Sequence, residues 1–140
     1  MSSQPDLALS RTLLGALRQG NLGLLHALLA LRTRGAALTA ELDARLEAAN
    51  QNTLLTYAAY YGQADAVQLL LEGGASVGAT TGRGWSALFA ACQKGHLECV
   101  RLLLEAHAAV DQPTDKGTTP LSAASMAGQI DCVRLMIAAG

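Results

Sequence analysis

Three glycines, Gly62, Gly95 and Gly128, stand 33 residues apart, and the same pattern surrounds each of them. A Leu lies seven residues before the glycine (Leu55, Leu88, Leu121) and an Ala four before it (Ala58, Ala91, Ala124). A Val lies five after it (Val67, Val100, Val133), followed by the apolar pairs Leu70-Leu71, Leu103-Leu104 and Met136-Ile137. A fixed period of this size means that the chain repeats one supersecondary unit. Such a unit cannot bury its own apolar face and must stack on its neighbours.

Each unit reads as two short helices. Ser86 opens a compact helix through Leu88-Phe89-Ala90-Ala91-Cys92, and Gly95 ends it, because glycine takes the left-handed closing conformation without a steric penalty. A second helix is predicted over about 97–106, with Leu97, Val100, Leu103 and Leu104 on one stripe of 3.6-residue period. Alanine dominates the first helix of each unit, so neighbouring copies can approach closely.

The run Gly117-Thr118-Thr119-Pro120-Leu121-Ser122-Ala123-Ala124, then Gly128, then Val133-Arg134-Leu135-Met136-Ile137, resembles the ankyrin repeat family. The segment Gly95-His96-Leu97-Glu98-Cys99-Val100-Arg101-Leu102-Leu103-Leu104 carries the same resemblance. The likeness is close over residues 48–140 and loose over 7–38. It implies an all-α solenoid of helix–turn–helix units with hairpin-like loops to one side, a role in binding other proteins, and no catalysis. The repeats are expected at about 7–38 (divergent), 48–80, 81–113 and 114–140, all in one domain spanning 1–140, with an insertion at about 39–47.

The remaining bounds are modest. A chain of 140 residues that is 51% hydrophobic and 15% charged can form a core and has no composition of disorder. A net charge of −1 gives no overall pull towards nucleic acid, so none is expected as a partner. Residues 1–40 hold four Arg against one Asp, whereas 41–140 hold six bases against ten acids. No apolar run is long enough to cross a membrane; 22–31 is the nearest. The three cysteines are odd in number, and Cys99 and Cys132 hold equivalent places in neighbouring units. Equivalent positions on stacked helices lie roughly 10 Å apart, beyond disulfide reach. The reading is a reducing, intracellular compartment, cytoplasmic or nuclear.

Along the chain, Leu9, Leu13, Leu14 and Leu17 predict a helix ending before Gly20, with a second helix over 22–32. Arg11, Arg18, Arg32 and Arg34 give this first unit the polar character of a terminal cap. The same residues would also suit an organelle-targeting helix, a reading that the repeat alignment makes unnecessary. Gly20 to Gly62 is 42 residues, nine more than the period, and Thr39 with Leu42 and Leu46 predicts a short extra helix in the added loop. Asn50-Gln51-Asn52 stands where the later units have a turn glycine, and Asn tolerates turn geometry. His107 stands where Gly74 and Gly140 stand, so positive φ is expected there at a cost in strain. The last unit stops at Gly140 without a polar cap. This suggests a piece of a longer protein or an exposed edge carrying Ile130 and Ile137, and a monomer with weak self-association through that edge.

Constellations with chemical potential resolve into structure. Gly82-Arg83-Gly84-Trp85-Ser86-Ala87 matches a dinucleotide fingerprint in letters, but it aligns with a repeat turn rather than a strand-to-helix crossover. Cys92, His96 and Cys99 have a metal-like spacing interrupted by the turn at Gly95, with no fourth ligand nearby. No catalytic residue, metal site or cofactor is expected.

The aromatic residues Tyr57, Tyr60, Tyr61, Trp85 and Phe89 all lie in one window. Tyr57 and Phe89 are read as core or bracing residues. In ankyrin-like repeats the two residues before the turn glycine and the loop before the first helix line the concave face. Carried over, this gives Tyr60, Tyr61, Gln93, Lys94, Met126 and Ala127, with Asn50, Asn52, Arg83, Trp85, Asp115, Lys116 and Thr118 from the loops. Exposed aromatics grouped on one face suit partner recognition. The expected partner-binding set is Tyr60, Tyr61, Arg83, Trp85, Gln93, Lys94, Asp115, Lys116 and Met126, with a protein as partner. The competing roles are a structural segment stacking on further repeats, and a targeting arm of a larger enzyme complex.

Overall fold

The computed structural model describes residues 8–23, 25–26, 42 and 52–140. Seven helices are bounded among them: α1 (Ala8–Gln19), α2 (Leu54–Tyr60), α3 (Ala64–Glu72), α4 (Ala87–Lys94), α5 (Leu97–Glu105), α6 (Pro120–Met126) and α7 (Ile130–Ala139). From α2 onward the helices alternate between two layers. The short helices α2, α4 and α6 stack in one layer and α3, α5 and α7 in the other, while α1 packs against α2. The described residues contain no strand, and the fold is the all-α solenoid that the period demands.

The first helix of each unit starts the same way. Thr53, Ser86 and Thr119 sit in extended N-cap geometry, and each side-chain oxygen accepts from the backbone N–H three residues on. These bonds satisfy an orphan donor of the first turn, and Pro120 adds a residue whose φ is already helical. Leu54, Leu55, Ala58 and Ala59 of α2 and the whole run from Ala87 to Cys92 of α4 are buried. Val67 and Leu70, then Val100 and Leu103, bury the facing stripe of α3 and α5.

A side chain from each unit reaches back over the turn of the one before. His96 Nε2 donates to Tyr60 O at 3.0 Å, and Gln129 Nε2 donates to Gln93 O at 3.5 Å, both across 36 residues. Gln63 Nε2 donates in the same manner to Leu17 O at 3.0 Å. The turn glycines are therefore required for two reasons. Gly62 has φ 71°, and a Cβ on it would lie 2.5 Å from His96 Nδ1. Gly128, with φ 73°, has open space above it.

His107 has the expected positive φ, 65°, and it is the one non-glycine among the described residues to do so. The stretch 22–26 is helical where described, and Leu42 is helical and fully buried. The rest of the extra helix over 39–47, the remainder of the 22–32 helix, and the Asn50-Gln51 turn lie outside the described residues.

Candidate interaction site

The loops that precede α4 and α6 are built alike. Thr81 N donates to Trp85 O, and Thr114 N donates to Thr118 O, each at 2.9 Å. The Thr81 hydroxyl accepts from the N–H groups of Arg83 and Trp85, and that of Thr114 accepts from Thr118 N. Asp115 N donates to Arg83 O at 3.2 Å, joining one loop to the next. Gly84 permits this approach: its φ is 79°, and a Cβ there would lie 2.5 Å from Asp115 Oδ1.

The five aromatic rings form one connected run. Ring centroids are 4.8 Å apart for Tyr57–Tyr61, 5.0 Å for Tyr60–Tyr61, 6.5 Å for Tyr60–Trp85 and 4.9 Å for Trp85–Phe89. The expectation that the rings of Tyr60, Tyr61 and Trp85 adjoin across two units agrees with this geometry. Their exposure is less than expected. Tyr61 is 57% exposed, but Tyr60 and Trp85 are half-buried, because each ring is flanked by others. Tyr57 packs against the core, and Phe89 is buried beneath Trp85.

Two concavities flank Trp85. One, of about 400 Å³, is lined by Asn52, Tyr60, Tyr61, Thr81, Arg83 and Trp85. The other, of about 720 Å³, runs between the two loops and the ends of α4 and α6. Arg83, Trp85, Asp115 and Lys116 line its loop side, and Gln93 and Met126 its helix side. Lys94 lines neither; its Nζ lies 4.8 Å from the centre of the Tyr60 ring, a cation–π distance. Eight of the nine expected residues thus border one of the two hollows, and Lys94 covers the Tyr60 ring, which lines the smaller one. Phe89, Thr114 and Ala123 also line the larger one, although nothing marked them as surface residues. Thr114 could have been found from its position 33 residues after Thr81.

Gln93 is anomalous. Its Oε1 is sealed from solvent and has no hydrogen-bond partner, although its neighbours in register are Tyr60 and Met126, which lack such an atom. Met126 is 83% exposed. The cysteines are buried and free. Burial pushes the Cys92 thiol up to about 12 and the Cys99 thiol up to about 11, and it raises Cys132 as well, so all three stay protonated and unreactive near neutrality. His96, spaced like a metal ligand, is occupied with the Tyr60 carbonyl. Among the described residues no helix is long and apolar enough to cross a membrane.

A family model described as ankyrin repeats (3 copies) matches residues 55–140. No curated protein matches the chain.

Proposed function

We propose, from the premise that this chain belongs to the ankyrin repeat family, that it is a non-catalytic recognition module gripping a partner protein beside Trp85. Ankyrin repeats are generally protein–protein interaction modules. The observation that carries the finer reading is the connected run of rings from Tyr57 to Phe89, which crosses two units and borders two hollows. Aromatic side chains already fixed by their neighbours offer a large contact area with little rotamer entropy left to lose on binding. The four-repeat organisation, with a divergent first unit over about 7–38, belongs to the same reading. Its support is that Gln63, at the N-cap of α3, bonds to the last turns of α1 as His96 and Gln129 bond to the units before them. An intracellular setting, cytoplasmic or nuclear, is supported by three free, buried thiols.

The test is to purify a partner recovered on the wild-type chain and titrate it against variants. Trp85→Ala should weaken binding at least about tenfold with helical content intact. Tyr61→Ala, at a more exposed ring, should weaken it with less loss of packing than Trp85→Ala. Unchanged affinity in both variants rejects the site.

A second reading has its own observation. Leu121, Ile130 and Ile137 are exposed on the last unit, at positions that inner units cover more fully. Two copies meeting through this face would bury it. Sedimentation of the wild type against Ile130→Lys over a concentration series distinguishes a dimer from a monomer.

A further inference from the structure

Charge is divided between the two layers. The loops 81–86 and 114–119 and the short helices α4 and α6 place three cations, Arg83, Lys94 and Lys116, around the aromatic run, against the single carboxylate of Asp115. All four are exposed, and among the described residues the three cations have no ion-pair partner. The helices α3, α5 and α7 have the opposite balance, five carboxylates against two guanidinium groups. One of those guanidiniums, Arg101, lies 3.8 Å from Glu98 of its own helix. The net charge of −1 therefore hides a cationic recognition face and an acidic back.

From this division we infer that the larger groove takes an acidic, extended segment of a partner protein, with an apolar side chain set between Trp85 and Met126 and carboxylates alongside. This rests on the recognition role proposed for the same site. Arg83 and Lys116 line the loop wall while Trp85 and Met126 supply apolar surface, so a segment alternating apolar and acidic side chains meets both. Like charges across a contact repel, which disfavours basic segments. A nucleic acid would find rings to stack on, but only three cations to neutralise phosphates and an acidic back that repels the rest of the strand. Asp115 sits against the Gly84 turn and is the one unfavourable charge for such a ligand.

The experiment selects a displayed library of random twelve-residue peptides on the full chain, with counter-selection on Trp85→Ala. The enriched pool should be acidic around an apolar residue. Its members should bind at least about tenfold more weakly to the double variant Arg83→Glu/Lys116→Glu, and more weakly as salt rises. Asp115→Asn should bind them more tightly. A Trp85-dependent pool that is neutral or basic, or indifferent to charge reversal, overturns the acidic ligand and leaves the recognition site standing. Tighter binding of a single-stranded RNA oligomer than of any selected peptide also overturns it. The absence of any Trp85-dependent pool overturns both proposals.

Discussion

Leu88 and Leu121 occupy the same place in successive units, yet the first is fully buried and the second 38% exposed. The difference continues through both helix pairs. Leu97 and Leu104 of α5 are half-buried, while Ile130 and Ile137 of α7 are each 64% exposed. Six consecutive residues of α4 are buried, against three in all of α6. The residue types are nearly the same, so the environment of a repeat position is decided by what stacks upon it rather than by its own letter. In such a chain stability is the sum of what each unit contributes and what each junction contributes.

The sharpest way to break this comparison is to truncate the two leucines. Leu88→Ala should cost about 2–5 kcal/mol, since it opens a cavity between neighbours on both sides. Leu121→Ala, half-solvated already, should cost about 1 kcal/mol or less. Urea midpoints measure both, and equal losses would mean that the last helix pair is as enclosed as the inner one.

The turn glycines separate backbone strain from stacking. Gly128→Ala should cost about 1–2 kcal/mol, the penalty of left-handed backbone for an alanine. Gly62→Ala should cost about 1 kcal/mol more, because the His96 ring must leave and its bond to the Tyr60 carbonyl is lost. In a His96→Ala background that surplus should vanish, as a double-mutant cycle would show.

The thiols report opening. Cys99 and Cys132 are equivalent and both buried, so an alkylating reagent reaches them only through local unfolding. Cys132 should be modified at least about tenfold faster, equivalent to an opening easier by about 1.4 kcal/mol. Hydrogen exchange should likewise find α6 and α7 the least protected of the helices from α2 onward. Equal rates would show that the last pair opens only with the whole. These thiols also set a pH dependence. Burial holds their folded pKa values above the ordinary thiol value of about 9, so the folded chain holds protons that the unfolded chain releases. Stability should stay flat below about pH 9 and fall as pH rises towards 11 and 12, with a shallower fall in Cys92→Ala.

The smallest effect concerns His107. At φ 65° it holds a conformation that suits glycine, so His107→Gly should stabilise the inner pair by up to about 1 kcal/mol. A loss of stability instead would show that the imidazole makes a contact worth more than the strain.

The helices from α2 onward, their caps and the positive φ of His107 were legible in the sequence because each depends on a local motif repeated at a fixed interval. Ser86 announces a cap three residues ahead of the N–H it satisfies, and Gly95 announces a left-handed close. The adjacency of Tyr60 and Trp85 followed from stacking alone. What was not legible depends on how far one unit is rotated and displaced against the next. Nothing local to His96 indicates that its ring covers Gly62 and holds the Tyr60 carbonyl. The partial burial of Trp85 and the seat of Lys94 over Tyr60 arise in the same way, from side chains of two units meeting at an angle that neither specifies.

The back-reaching residues at 63, 96 and 129 have a consequence for how such a chain changes over generations. A glycine and the residue placed 34 positions after it, as with Gly62 and His96, constrain each other although they stand in different modules. An alanine at the first costs more while the imidazole lies over it, and a smaller second residue removes that surplus but not the cost of the left-handed backbone. Variation is therefore less costly in one order: the later residue first, the earlier turn second. Duplicating or recombining modules keeps each pair intact only when the crossover respects that pairing, so modules exchange most readily between neighbours that already share the clasp.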